Sequence, residues 1–321
     1  MSVSFAGSPD RIEARLVPEA GFELDPFEIS GLPRRPGGAQ LRAVMLAGRA
    51  PRACARILEA RRPDVVFGGG GYVAGPMIYA AWRKRIPAAL AEADAHLGLA
   101  NRIAAPFAQR VFLAYPDGRR TSARYRVVGR PVPARERVAP DEGRRRFGLP
   151  IDEPVLLVFG GSQGAAAVNE IALTGFAVDG PAVLHLCGVR YLAELTGRVS
   201  RPDYLLLDWT GDFGAALDAC DLVLARAGGS VWEVAAAGKP AVLVPSPNVT
   251  ADHQTKNARY FEQAGGAVLV PEPEIERVPG VVRDLLAGGN RLAAMGEAML
   301  RASKPGAADE IAEEVIALAR P

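Results

Sequence analysis

Along the chain, short β-rich runs lead into glycine-containing turns and then into longer Ala-, Arg- and Leu-rich stretches. That order of strand, turn and helix predicts parallel α/β units. In the first half, strands are expected at Val3 to Ala6, Val65 to Gly68, Ala88 to Leu90, Arg110 to Ala114 and Arg126 to Val128. In the second half they fall at Val155 to Phe159, Ala182 to Cys187, Tyr204 to Asp208, Leu222 to Ala225, Ala241 to Val244 and Ala267 to Val270. Between the halves lies Gly129-Arg130-Pro131-Val132-Pro133-Ala134, whose prolines stop both helix and central strand and mark a linker. The expected domains are therefore 1–133 and 134–321. The expected architecture is α/β, with two Rossmann-like lobes of parallel sheet facing each other across a cleft. A nucleotide-type lobe begins with its central strand and a glycine loop. Here Val3 to Ala6 runs into Gly7-Ser8-Pro9-Asp10 with no such unit ahead of it, so the first lobe reads as incomplete at its first strand.

A length of 321 residues agrees with two domains, each able to bury a core. The 38 basic and 36 acidic residues nearly cancel, so the whole-chain charge gives no support to a nucleic-acid partner. Cys54, Cys187 and Cys220 are far apart and lack zinc spacing, which fits a reduced, cytosolic compartment. The most apolar stretch, Val65 to Trp82, is broken by glycines and Pro76, and the N-terminus has no charged n-region. One local feature departs from this neutrality. Between residues 34 and 62 there are eight Arg and one acid, Glu59, a local charge of +7. Leu41, Val44, Met45, Leu46 and Ile57 are interleaved with them, giving a basic amphipathic helix system that suits an anionic membrane surface. Trp82-Arg83-Lys84-Arg85 would join it as an interfacial anchor; a solvated Arg-rich face is the other reading.

Candidate chemistry concentrates at strand ends. Val155 to Phe159 ends in Gly160-Gly161-Ser162-Gln163-Gly164 at a helix start. Free backbone N–H groups, with a helix dipole behind them, suit a phosphate or diphosphate there; a ligand-free tight turn is the alternative. Gly160 to Gly164 fits neither a Walker loop nor G-x-G-x-x-G. A second unit runs from Leu222 through Arg226, Gly228, Gly229, Ser230 and Val231 to Glu233. Ser230 and Glu233 form an S-x-x-E capping-box pattern, or Glu233 accepts from a ribose diol. Pro245 to Ala258 reads as a polar loop opening a helix. In the first half, Gly68 to Gly71 ends a strand and invites close ligand approach, or is simply flexible. Glu92, Asp94 and His96 follow another strand and can offer a base, although a lone His there is more often structural.

Together these segments resemble the MurG family, the bacterial N-acetylglucosaminyltransferases of glycosyltransferase family 28. The matching stretches include Arg11 to Pro18 with Gly21, Ile29-Ser-Gly-Leu, Arg62-Pro-Asp-Val-Val66, Gly70-Gly-Tyr-Val-Ala-Gly-Pro76 and Gly98 to Arg102. They continue through Gly160 to Ala165 with Asn169, Arg226-Ala-Gly228, Gly238-Lys-Pro and Asp252-His-Gln-Thr-Lys-Asn-Ala258. The resemblance implies a GT-B fold and inverting transfer of N-acetylglucosamine from UDP-GlcNAc to a lipid-linked MurNAc-pentapeptide. It also implies a peripheral enzyme at the cytoplasmic face of the cell membrane, with no cofactor required and no metal.

Carried onto this chain, the resemblance assigns the donor to Gly161, Ser162, Gln163, Gly164, Asn169, Thr210, Gly228, Gly229, Ser230, Val231, Glu233 and Gln254. It assigns the acceptor diphosphate to Gly70, Gly71, Tyr72 and Gly75. Four departures accompany it. The family's H-E-Q-N stretch appears as Ala91-Glu92-Ala93-Asp94, so only Glu92 is retained and Asp94 stands where Asn is expected. The family's opening glycine loop, whose His is a candidate base, has no match, which leaves Glu92, Asp94 and His96 as the catalytic candidates. A donor-contacting Arg is replaced by Pro133, with Arg130 or Arg135 as substitutes. The stretch from Ser230 to Glu233 is also one residue shorter than usual. The competing expectations are a UDP-sugar transferase acting on another lipid, and a non-catalytic UDP-sugar-binding remnant.

Overall fold

The structure, a computed structural model, describes residues 2–31 and 37–319. Its first elements are β1 (Ser4–Gly7), α1 (Glu13–Glu19), β2 (Glu23–Pro26), α2 (Gly38–Arg61), β3 (Val66–Gly68), α3 (Gly71–Arg83), β4 (Ala88–Glu92), α4 (Leu99–Ala104), β5 (Arg110–Leu113) and β6 (Tyr125–Val127). Then follow α5 (Pro140–Phe147), β7 (Val155–Phe159), α6 (Ala166–Phe176), β8 (Ala182–Leu186), α7 (Leu192–Leu195), β9 (Tyr204–Leu207), α8 (Phe213–Ala219) and β10 (Leu222–Ala225). The chain closes with α9 (Val231–Ala236), β11 (Ala241–Leu243), α10 (His253–Gln263), β12 (Ala267–Leu269), α11 (Val278–Ala287), α12 (Gly289–Ala302) and α13 (Ala307–Ala319). Two compact units result. One runs to Gly129 and takes back the C-terminal stretch from Asp309; the other is Arg130–Ala308.

In the second unit, six strands form one parallel sheet in the order β12-β11-β10-β7-β8-β9. Strands β7, β8 and β10 are buried at every position. Their apolar runs, broken in these three strands only by His185, are what a parallel strand covered on both faces requires. The strand order reverses between β7 and β10, because the chain proceeds outward through β8 and β9 before returning to β10. Such a reversal opens a crevice at the carboxyl ends of the two strands.

The first unit holds a parallel sheet of order β3-β4-β5-β6 and a separate parallel pair, β1-β2. Every expected strand is present, but β2 was not legible. Glu23-Leu-Asp-Pro26 has two acids, a proline and no β-branched residue; it forms by pairing with β1, and Arg61 bonds both Glu23 and Asp25. The last helix also departs from the division at residue 134, since it belongs with the first unit. Ile311, Val315 and Leu318 pack on Ala89, Phe112 and Val128, while Glu314 pairs with Arg110 and Arg126, each at 2.9 Å. Ion pairs between segments so distant in sequence leave no local signal.

Candidate functional site

In the second unit, the loops after β7 and β10 leave the sheet at the same level, because Phe159 and Ala225 are register partners. The first loop carries Gly161 at φ 92° and Gly164 at φ 74°, backbone that favours glycine. A Cβ on Gly164 would also stand 2.0 Å from the carbonyl oxygen of Cys187. Ser162 and Gln163 are exposed at the tip of this loop. Helix α6 begins without a side-chain cap, so its first-turn N–H groups have no side-chain acceptor. Asn169, 1% exposed, lies behind the loop and donates Nδ2–H to the Cys187 carbonyl at 2.9 Å.

Across the reversal, the β10 loop runs from Arg226 to Ser230. Arg226 donates to the Val244 carbonyl at 3.1 Å and pairs with Glu272, and Asn257 donates to the Ala227 carbonyl at 3.1 Å. Ser230 stands at the N-cap of α9, just ahead of buried Val231, but its hydroxyl makes no cap bond. The capping-box reading is thus corrected: with φ −65° and ψ −11° Ser230 is already helical, whereas a capping hydroxyl needs extended backbone. Glu233 is half-buried, and its carboxylate makes no hydrogen bond or ion pair among the described residues. Burial raises its carboxyl above the ordinary range, and Arg130 and Arg135 oppose that shift.

The two substitute arginines are placed differently. Arg130 lies on the β10 loop, where a Cβ on Gly229 would fall 2.0 Å from its Nη1. Arg135 instead grips buried Asp218 with two bonds of 2.6 and 2.9 Å. From the same carboxyl edge of the sheet, Thr210 follows β9 beside Trp209, which is 60% exposed, and its Oγ1 accepts from the Asp212 N–H at 3.1 Å. Gln254, at the start of α10, accepts the Ser246 N–H at 2.8 Å and so holds the loop after β11.

In the first unit, Gly69 and Gly70 turn out of β3 and Gly71 opens α3, with φ 101° at Gly70 and 74° at Gly71. A Cβ on Gly70 would lie 2.9 Å from the Ala91 carbonyl and 3.3 Å from Asn101 Nδ2. Tyr72 and Gly75 occupy the first turns of α3. Glu92 is 9% exposed, and its carboxylate accepts from the Asp94 N–H (3.2 Å), the Gly98 N–H (2.9 Å) and Asn101 Nδ2 (2.8 Å). It thereby shapes the loop that carries half-buried Asp94 and His96.

An exposed apolar group also marks this unit. Tyr79, Trp82 and Phe107 stack with ring centroids 4.9 to 5.8 Å apart, and Leu99 and Ile103 on the adjacent α4 are 63% and 62% exposed. Exposed Arg83, Arg85 and Arg102 flank them in sequence. Helix α2 presents Arg42, Arg49, Arg52 and Arg56 to solvent beside exposed Leu41, Val44 and Met45. The sequence-level charge is trimmed, since Arg61 is engaged by Asp25 and Glu23, and Glu59 pairs with Lys84 at 2.6 Å. Arg34 and Arg35 lie outside the described residues. Among the described residues no helix is long and apolar enough to cross a membrane.

Residues 1–113 match the sequence profile of the glycosyltransferase family 28 N-terminal domain, and residues 155–311 match that of its C-terminal domain. The chain belongs to glycosyltransferase family 28. A family 28 relative from Salinibacter ruber is 41% identical over 99% of this chain and 88% of its own length; one from Rubrobacter xylanophilus is 36% identical over 99% and 96%. Both are named UDP-N-acetylglucosamine–N-acetylmuramyl-(pentapeptide) pyrophosphoryl-undecaprenol N-acetylglucosamine transferase. The crystal structure of MurG from Acinetobacter baumannii matches with a TM-score of 0.76 at 26% identity, covering 98% of this chain and 91% of that one. The calicheamicin glycosyltransferase CalG4, at TM-score 0.68 and 18% identity over 100% of this chain and 92% of its own, shares the GT-B fold.

For this family 28 chain, sequence reasoning passed over three buried polar side chains next to the candidate residues: Asn101, His185 and Tyr204. His185 carried a usable signal. It interrupts the apolar strand Ala182-Val-Leu-His-Leu186, where a polar side chain must find internal partners.

Proposed function

We propose that this chain is an inverting hexosyltransferase that moves N-acetylglucosamine from UDP-GlcNAc to a lipid-diphosphate-linked MurNAc-pentapeptide, the lipid I to lipid II step of peptidoglycan synthesis. The observation that carries the reading is the pair of glycine loops leaving β7 and β10 at one level on either side of the sheet reversal. That is where an open parallel sheet binds a nucleotide. In this reading the diphosphate lies against the Gly161-Ser162-Gln163-Gly164 loop and against Gly228, Gly229, Ser230 and Val231. Glu233, whose carboxylate makes no hydrogen bond among the described residues, takes the ribose diol; Thr210 lies beside the uracil; Gln254 offers its remaining NH2 to the sugar.

The acceptor hydroxyl oxygen attacks the anomeric carbon as the bond to the diphosphate breaks. Backbone N–H groups and Arg130 meet the charge that develops on the departing UDP. The reading therefore assigns no metal or organic cofactor. The hydroxyl proton passes to a base on the loop after β4. The candidates on this loop are Glu92, whose carboxylate accepts three hydrogen bonds that shape it, with Asp94 and His96. The acceptor diphosphate is assigned to the start of α3, at Gly70, Gly71, Tyr72 and Gly75.

A lipid-borne acceptor calls for membrane contact. We assign it to the apolar group of Trp82, Leu99 and Ile103 with its basic surround, together with the exposed arginines of α2, as peripheral binding at the cytoplasmic face. Purified chain incubated with UDP-GlcNAc and a lipid I analogue should release UDP and yield the glycosylated lipid. Transfer to diacylglycerol instead would establish a different acceptor, and saturable UDP-GlcNAc binding without transfer to either lipid would establish a binding remnant.

A further inference from the structure

Behind the β7 loop, three buried side chains form a directional hydrogen-bonded chain. Tyr204, His185 and Asn169 are 5%, 0% and 1% exposed. His185 Nδ1 lies 2.9 Å from the Tyr204 hydroxyl, His185 Nε2 lies 3.1 Å from Asn169 Oδ1, and Asn169 Nδ2 lies 2.9 Å from the Cys187 carbonyl oxygen. The carbonyl can only accept, so Nδ2 donates to it and Oδ1 must face the imidazole. Oδ1 then accepts from Nε2–H, which leaves the Nδ1 lone pair for the Tyr204 O–H. One tautomer satisfies every step.

The end of this chain is the Cys187-Gly188 turn, and that turn touches the loop. A Cβ on Gly164 would meet the Cys187 oxygen at 2.0 Å, and a Cβ on Gly188 would meet the Gly164 nitrogen at 2.3 Å. The two backbones are thus packed with no space for a side chain, and the orientation of the Cys187 peptide sets where Gly164 can lie. An aliphatic residue at 185 would fill a strand core with less risk, since a partly satisfied polar network is costlier than none.

We propose that Tyr204 and His185 are positioning residues for the donor: through Asn169 and the Cys187 carbonyl they hold the Gly161–Gly164 loop in its phosphate-binding shape. This inference rests on the donor site proposed above. The relay touches neither the sugar nor the reacting atoms, so its loss should appear in donor binding and not in the chemical step.

The test compares His185→Leu, which keeps apolar bulk and removes both bonds, with His185→Gln, whose NH2 can replace Nε2–H toward Asn169. Initial rates are measured against UDP-GlcNAc and against a lipid I analogue. His185→Leu should raise the KM for UDP-GlcNAc about tenfold, the worth of a buried hydrogen bond, with kcat and the acceptor KM within about twofold. His185→Gln should recover most of that loss. A lower kcat with both KM values unmoved, or no recovery by Gln, would show a structural role only and overturn the proposal. Should His185→Leu fail to fold, Tyr204→Phe removes one oxygen. Its amide exchange should quicken at Gly164 and Gly188 and stay unchanged in the first unit, and unaltered exchange would overturn the proposal. Wild-type protein separates the two levels. If it shows no saturation by UDP-GlcNAc, the donor assignment fails along with the relay, whereas saturation with unmoved variants removes the relay alone.

Discussion

The carbonyl oxygen of Cys187 stands 2.0 Å from where a side chain on Gly164 would begin, and Gly164 itself is at φ 74°. Both facts forbid an ordinary residue there. Gly164→Ala should destabilise the second unit by about 1–3 kcal/mol through left-handed backbone strain and displaced packing. UDP affinity should fall at least about tenfold, since the loop moves with the substitution. Calorimetric titration with UDP, paired with thermal unfolding, checks both.

Arg130 and Arg135 should separate under mutation. Arg135→Ala removes the two shortest charge-assisted bonds to the Asp218 carboxylate, 2% exposed, and leaves it Arg137 at 3.5 Å and the Val138 N–H at 3.0 Å, which costs about 1.5–3 kcal/mol of stability. Arg130 lies on the Gly229 loop, and its guanidinium makes no hydrogen bond or close ion pair among the described residues, although its charge acts on Glu233. Arg130→Ala should change stability by less than about 0.5 kcal/mol. It should lower turnover about a hundredfold, as loss of a preorganised charge toward a leaving group does. Denaturant unfolding and steady-state rates on the two variants distinguish these outcomes.

His185 imposes a pH dependence on folding. Burial lowers its imidazole from 6.5 to about 4. The unfolded chain therefore binds a proton more readily, and the contribution of neutral His185 is whole above pH 6.5 and declines as pH falls toward 4. The loss across that window is about 3 kcal/mol. Urea midpoints for wild type and His185→Leu, measured from pH 7 to about pH 4, should converge as acid removes the wild-type advantage.

Membrane binding should follow the apolar group as well as the charge. Leu99→Asp with Ile103→Asp removes two aliphatic side chains, each worth about 1.5–3 kcal/mol on full burial, and should weaken partition onto anionic vesicles at least tenfold. Changing Arg49, Arg52 and Arg56 to Glu should weaken it too, and more at low salt than at high. Neither set should alter the KM for UDP-GlcNAc. Retained vesicle sedimentation in both would remove this face from consideration.

The strands of the two larger sheets and the glycine loops after β3, β7 and β10 were legible in the sequence, because hydrophobic runs and glycines act locally, whereas the helix that opens at Gly71 was not. What escaped it was set by distant partners. The ion pairs of Glu314 with Arg110 and Arg126 draw α13 to the first unit, and β2 exists only against β1. Ser230 and Glu233 spell a capping box, yet helical backbone at Ser230 prevents it. Glu92 reads as a free carboxylate until the Gly98 and Asp94 N–H groups and Asn101 converge on it. Similarly, nothing in the linker tells Arg130 from Arg135 until Asp218 is seen to hold one of them.

The central claim is that UDP-GlcNAc binds at the reversal between β7 and β10. Crystals soaked with UDP-GlcNAc test it most directly. The account predicts diphosphate density against Gly161–Gly164 and Gly228–Ser230, with both ribose hydroxyls on the Glu233 carboxylate. Density elsewhere on the chain, or a ribose turned away from Glu233, would contradict it.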